Sequence, residues 1–303
     1  MNTCNKPDGK DLPTRSTYYP ESWSYTEAFS RHRGLITVAE QARLKQSCVA
    51  IIGAGGVGGV HLMTLARLGI GAFRIADPDH FSPANFNRQC GATISSLGKN
   101  KATIMAEQAR AVNPDVKLQV FPQAITRENV ADFLDGADIL VDGIDFFAIQ
   151  TRRLLFSEAR RRGLWAVTAG PVGFSTAWLV FSPTGISFDD YFDLCDSTPH
   201  LDQLIAFAVG LAPRASHLPY LDLSQVNIDS ETGPSAGLAC NLCSGVAAAE
   251  VLKILLGRKP VRPAPHFCQF DAYRGILRKG RLLFGNRGPW QRLKRWWLRK
   301  KFA

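Results

Sequence analysis

The chain has 303 residues, 46% of them hydrophobic and 20% charged, with a formal net charge of +10. That is enough apolar material for a sizeable core in one large domain or two smaller ones. Seven scattered cysteines, with one CxxC and no disulfide-like spacing, exclude a disulfide framework and point to a reduced, cytoplasmic setting. The first 25 residues carry no apolar stretch and no run of 18 apolar residues occurs, so neither a signal peptide nor a spanning helix is expected. The positive charge is uneven. After Asp271 there is no acidic residue, and those last 32 residues hold 11 of the 36 Lys and Arg. The body is therefore near neutral, and the basicity belongs to a tail.

In chain order, residues 1–24 read as a flexible arm. A short helix over 38–46 precedes a buried strand, CVAIIG, at 48–53, which runs into a glycine-rich turn. A helix over 60–69, a strand over 72–77 and a helix from Lys99 to the Asn113-Pro114 stop follow. Then come strand 117–122, short helix 127–136, strand 137–145, helix 148–163 and strand 164–170. Strand 176–183 continues the sheet. Residues 183–232 lose periodicity and read as a long crossover loop. A small-residue helix fills 234–259, and 266–280 suggests a final hairpin. Strands alternating with helices mean an α/β, doubly wound, mostly parallel sheet with right-handed crossovers, here continued by antiparallel strands. The expected division is the arm, a domain over 25–286, and a basic amphipathic tail over 287–303.

Gly53-Ala54-Gly55-Gly56-Val57-Gly58 follows a strand and opens a helix, where glycines let backbone approach a phosphate at the positive helix end. Asp77 ends the second strand, as an acid that takes ribose hydroxyls would. Both features also suit a dehydrogenase, and a glycine turn serves packing alone as well. The stretch NFNRQCGATISSLGKNKA, 85–102, separates these readings. Arg88 offers a fork and Lys101 a point charge for phosphate oxygens, while Asn85 and Gln89 offer neutral hydrogen bonds. Asp145 lies where the fourth strand ends, at the carboxyl edge where a Mg²⁺-bound phosphate would lie. Taken singly, Arg88 reads equally as a surface cation, Lys101 as a helix-start lysine and Asp145 as an N-cap. Together they suit a polyphosphate such as ATP. An NAD-dependent oxidoreductase would leave Arg88 and Lys101 without a phosphate, and a non-catalytic scaffold would not need Asp145 and Arg88.

Taken as a set, G-x-G-G-x-G, D-x-D, N-x-N-R-Q, G-K-N-K and D-G-I-D resemble the adenylating domain of ubiquitin-activating enzymes and their bacterial relatives ThiF, MoeB and HesA. AEVLKILLG, 249–257, is similar to a late helix of that fold. The resemblance covers residues 29 to about 272 and implies ATP- and Mg²⁺-dependent adenylation of the C-terminal carboxylate of a ubiquitin-like protein or peptide, with release of pyrophosphate. It assigns Gly56 to the nucleotide, Asp77 to the ribose, Ala84 to Arg88 and Lys101 to phosphates, and Asp145 to the metal. Arg31 in FSRHRGL, with Arg33 a rival, matches an arginine that reaches the other subunit's nucleotide, which implies a homodimer. Phe146 stands where relatives often have Asn, which removes one nucleotide contact. Many relatives carry two CxxC pairs on structural zinc. Cys240 and Cys243 supply two ligands of four, so no structural zinc is expected. Cys195, in DLCDSTP, resembles the nucleophile of relatives with thioester chemistry. Asp190, Asp193 and Asp196 are expected to raise its thiol pKa and work against that role. His200 and His217 read as exposed histidines of the same loop. The same superfamily includes the tRNA threonylcarbamoyl-adenosine dehydratase, which gives an alternative substrate on tRNA.

The tail carries Trp290, Leu293, Trp296 and Trp297 at helical spacing among six cations. The pattern suits a helix lying on an anionic membrane at the inner face of the cell, or holding RNA, as well as a solubilising tail.

Overall fold

The computed structural model describes residues 23–302; all but the last two residues of the expected arm lie outside them. Strands β1 (Cys48–Ile52), β2 (Ala72–Ala76), β3 (Lys117–Phe121), β4 (Ile139–Asp142), β5 (Trp165–Val172), β6 (Ser175–Phe181), β7 (His266–Asp271) and β8 (Ile276–Arg281) form one sheet. Its order is β3-β2-β1-β4-β5-β6-β7-β8. Pairing is parallel from β3 to β5 and antiparallel from β5 to β8. This is the doubly wound sheet with an antiparallel continuation that the pattern predicts. The strand order reverses between β1 and β4, the crevice where such sheets bind ligands.

The α-helices are α1 (Tyr25–Ala28), α2 (Val38–Gln46), α3 (Gly56–Arg67), α4 (Lys101–Val112), α5 (Val130–Phe133), α6 (Ile149–Arg161), α7 (Phe188–Phe192), α8 (His200–Leu211), α9 (Gly237–Leu256) and α10 (Pro289–Phe302). One core lies under α2, α3, α4 and α9, with Val49, Ile51, Ile75, Val141 and Val167 facing it. The other lies under α5 to α8, with Ala50, Ile52, Leu140, Ala166 and Leu179 facing it. Because both faces are covered, β1 and β4 read as continuous apolar runs. By length and composition alone α9 would cross a bilayer. It is instead a core helix whose small residues let it approach α3, with Ser244 donating to the Val60 carbonyl at 2.8 Å.

Two expectations need correction. α3 begins at Gly56, so the loop glycines form its first turn. The supposed crossover loop contains α7 and α8. Nearly every residue from Gln203 to Leu211 is buried, because α8 lies between the sheet and α10. A helix buried all round has no polar stripe, and therefore no helical period to read.

The register fixes two rims. β5 ends at Val172, opposite Ser175, on the nucleotide-loop rim. β8 ends at Arg281, opposite His266, on the other rim. The chain therefore enters the α10 segment from the rim away from the glycine loop.

Candidate active site

The glycine loop is shaped by close backbone contact. Gly53 has φ +83°, and a Cβ there would lie 2.2 Å from the Gly143 carbonyl oxygen. A Cβ on Gly58 would lie 1.7 Å from the Gly53 oxygen. Side chains are excluded at both positions, and the loop from β1 is pressed against the loop from β4. Gly55 precedes the first turn of α3 with no side-chain cap, so the first amides of the helix, at its positive end, have no capping side chain.

Arg88 and Gln89 flank this turn. A Cβ on Gly55 would lie 3.4 Å from Gln89 Nε2, and one on Gly56 would lie 3.5 Å from Arg88 Cγ and 3.2 Å from Cys240 Sγ. Arg88 donates to the Ala84 carbonyl and Asn87 Oδ1, each at 3.0 Å, and has no carboxylate partner among the described residues. Gln89 is buried, and its Oε1 has no hydrogen-bond partner among them. A buried acceptor left open beside a glycine loop is a place for a ligand or water donor. Asn85 is buried and accepts from Ser82 N at 3.0 Å, so it shapes the segment's turn. Asn87 ties the same segment to α9, donating to the Ser235 carbonyl at 2.9 Å.

Asp77 is buried at the end of β2. Its carboxylate accepts from Ala54 N at 2.6 Å and Asp79 N at 2.8 Å. Burial raises its carboxyl above the ordinary value, against those amides and the charge of Lys101. Lys101 starts α4, is buried along its stem and pairs with Asp79 at 3.0 Å.

Asp145 is exposed in the loop after β4, and its Oδ1 accepts from Phe147 N at 3.0 Å. A residue the sequence did not single out holds this loop. Arg152 pairs with Asp142 at 2.8 Å and donates to the Ile144 and Asp145 carbonyls at 2.6 and 3.2 Å. Nothing in the TRRLL run tells Arg152 from Arg153, which instead pairs with Asp189 and Asp196 on the surface. Phe146 packs against Phe147 and Phe207, with ring centroids 5.2 and 5.7 Å apart. Behind the loop, His61 is fully buried with neither ring nitrogen bonded. Burial lowers it to about 4, against the pull of Asp142.

The structure thus brings the glycine loop, Asp77, Arg88, Gln89, Lys101 and Asp145 to one rim. It does not bring Arg31 there. Arg31 is exposed on a 3₁₀ turn anchored through Gln41, which bonds His32 and the Leu68 carbonyl. That anchor is at the far end of α3, about 18 Å from Gly56 at 1.5 Å per residue. Cys195 is exposed between α7 and α8, and its contacts are with Ser197 and Thr198 at 3.2 and 3.1 Å. Those hydroxyls lower its thiol pKa, the reverse of the expected direction. The acids meant to raise it are neutralised: Asp190 and Asp193 by Arg287, Asp193 also by Arg295, and Asp196 by Arg153. His200 is exposed, but His217 is buried and lowered to about 4 by burial, so it is not a surface histidine. Cys240 and Cys243 are buried on α9, the latter bonded to Thr176 at 3.1 Å.

The donor set fits a polyphosphate with its cation. Arg88, Lys101 and the α3 amides would hold phosphate oxygens. Asp145 would supply the single carboxylate that a phosphate-bound Mg²⁺ needs. These features define a nucleotide-binding α/β domain built at a topological switch point. The chain belongs to the ThiF family, whose model matches residues 29–285, and carries an adenylyltransferase domain of that type. It is 33% identical over 168 residues to the tRNA threonylcarbamoyladenosine dehydratase of Haemophilus influenzae, covering 55% of this chain and 62% of that protein. It is 32% identical over 129 residues to the sulfur carrier protein adenylyltransferase of Thermus thermophilus, covering 41% of this chain and 48% of that one. The chain thus matches about half to three-fifths of the length of these relatives. Its fold is similar to that of E. coli MccB solved with AMPCPP and MccA, with TM-score 0.63 and 20% identity over 86% of this chain and 73% of that one.

Proposed function

We propose that the chain adenylates a carboxylate with ATP, and that the carboxylate is carried on a modified tRNA base. The observation that carries the chemistry is the open pair beside the glycine loop: the Arg88 guanidinium, without a carboxylate among the described residues, and the orphaned Gln89 oxygen. In the reaction a carboxylate oxygen attacks the α-phosphorus of ATP. A new O–P bond forms, the bond to the bridging oxygen breaks, and that electron pair leaves with pyrophosphate. No proton needs to move, because a carboxylate of ordinary pKa, about 4, is already ionised at neutral pH. Arg88, Lys101 and the α3 amides offset charge that grows on the phosphates. Mg²⁺, which Asp145 would hold, would supply further charge neutralisation for the leaving group.

The tRNA substrate is supported by identities of 33% over 168 residues and 35% over 126 residues to two tRNA threonylcarbamoyladenosine dehydratases. A second reading, the C-terminus of a ubiquitin-like protein or peptide, is supported by the similarity to a sulfur carrier protein adenylyltransferase. ATP–pyrophosphate exchange stimulated by modified tRNA supports the first; stimulation only by a carrier protein or peptide replaces it with the second. In either case Asp145→Ala should abolish exchange while the protein keeps its melting temperature. Undiminished exchange in that folded variant would overturn the metal assignment.

A further inference from the structure

Helix α10 is mounted with its polar side inward. Gln291 is 3% exposed and donates to the Val209 carbonyl at 3.0 Å. Lys294 donates to the Pro213 carbonyl at 2.6 Å, and Arg295 and Arg299 pair with Asp193 and Asp202 at 2.7 and 3.4 Å. The outward side carries Trp290, Leu293, Trp296 and Trp297, exposed by 74, 52, 53 and 47%. Leu283 and Phe284, just before the helix, are exposed by 61 and 70%. Half of the six tryptophans of the chain thus face solvent on one helix. Lys300 and Lys301 lie along the same side, 4.1 and 5.8 Å from the Trp296 and Trp297 ring centroids, and the helix contains no acid.

Beside the start of α10 is a groove of about 480 Å³, floored by Phe267, Leu282, Phe284 and Trp290. Arg214, Arg281 and Lys294 line it; the two arginines pair with no carboxylate among the described residues, and Lys294 is held by the Pro213 carbonyl and Gln291 Oε1 at 2.6 and 2.9 Å. Arg214 and Lys294 repel each other, and burial together with that repulsion lowers the Lys294 ammonium. An apolar floor under unpaired cations suits one end of an anionic amphiphile.

We propose that this face is a membrane-surface site. The tryptophan side of α10 lies in the headgroup layer of an anionic phospholipid bilayer, and the groove takes one lipid, its phosphate against Arg214 and Arg281 and its acyl end over Phe267 and Phe284. Tryptophan prefers the headgroup level, and each cation near an anionic surface strengthens partition about fivefold. RNA fits the face less well. Three of the six helix cations are turned to the body, and the centre of the outward side is indole and leucine, which leaves a phosphate backbone only cations at the edge, such as Lys300 and Lys301.

The test uses the full chain and vesicles of phosphatidylcholine alone or mixed with phosphatidylglycerol. The protein should sediment with the mixed vesicles and not with the neutral ones, with a blue shift of tryptophan emission and weakening in high salt. The triple variant Trp290→Ser/Trp296→Ser/Trp297→Ser leaves Asn286, Gln291 and Arg295 in place. It should keep its melting temperature and exchange activity and lose at least about tenfold in partition. Arg214→Gln/Arg281→Gln should lose about 25-fold on mixed vesicles only. No sedimentation with mixed vesicles, or equal partition of the triple variant, overturns the proposal. Displacement from mixed vesicles by tRNA assigns the face to RNA. A triple variant that turns a dimer into a monomer, with no vesicle binding in either protein, assigns it to a second copy.

Discussion

Arg152 can be tested separately as a source of stability and as a strap on the Asp145 loop. Arg152 and Asp142 are each 2% exposed and 2.8 Å apart, and the guanidinium lies 4.3 Å from the Phe207 ring centroid. Removing one member of a buried pair leaves the other charge uncompensated, at about 3–5 kcal/mol. Arg152→Met should therefore lower the melting temperature by about 6–20 °C, taking roughly 2–4 °C per kcal/mol for a domain of this size. The double variant Asp142→Leu/Arg152→Met removes both charges at similar volume and should regain most of that stability. It still lacks the donors to the Ile144 and Asp145 carbonyls. A loop misplaced by about 1 Å costs up to about 100-fold in rate. Exchange by the double variant should thus remain about 10–100-fold below the parent. Calorimetry and ATP–pyrophosphate exchange on the three proteins decide the matter. A double variant that melts as low as the single would show that the pair is not the source of the loss. One that regains full exchange with its melting temperature would refute the strap.

Gly58→Ala should destabilise the fold by about 3 kcal/mol or more and abolish nucleotide binding, since its Cβ would lie 1.7 Å from the Gly53 oxygen; urea unfolding and a nucleotide-binding titration check both. His61 and His217 are held neutral with values near 4, while an unfolded histidine titrates near about 6.5. Between those values the unfolded chain binds more protons, so stability is full above about pH 6.5 and falls as pH drops towards about 4, by on the order of 3 kcal/mol per histidine. A melting profile that stays level over that range, or that His61→Leu/His217→Gln does not flatten, would contradict this. Cys195 should be the first described cysteine alkylated at neutral pH, because its thiol is lowered and those of Cys48, Cys90, Cys240, Cys243 and Cys268 are raised; peptide mapping reads the order, and Cys195→Ala should keep adenylation. Mixing Arg31→Ala with Asp145→Ala should restore partial exchange if each arginine serves the other subunit; no recovery, with subunit mixing verified, removes Arg31 from the site.

The half of the fold that surrounds the nucleotide loop was legible because its signals are local. Apolar runs at β1 and β4, the glycine turn and the Pro114 stop each act within a few residues. The cations on the glycine-loop rim, Arg88 and Lys101, were legible for the same reason, since both lie in the one segment that joins β2 to the first turn of α4. What escaped depends on partners far along the chain. Arg152 looks like its neighbour Arg153 until the fold turns one inward. Cys195 looks surrounded by carboxylates until arginines from positions 153, 287 and 295 arrive. Helix α8 shows no stripe because α10, some ninety residues later, covers the side that would have been polar.

That last arrangement has a consequence for inheritance. Asn286 donates to the Phe192 and Ala206 carbonyls at 3.0 and 2.7 Å, Gln291 caps Val209, and Asp193 and Asp202 receive Arg295 and Arg299. The crossover and the C-terminal helix are thus one unit written in two places. A descendant that lost the helix would leave the Val209 and Pro213 carbonyls and Asp202 without their partners and take Arg295 from Asp193, so selection acts on both segments at once. Recombination that transplanted only one of them would carry half a joint. Substitutions at 193, 202, 286, 291, 295 and 299 should accordingly change together across descendants, while the glycine loop on the opposite rim stays fixed.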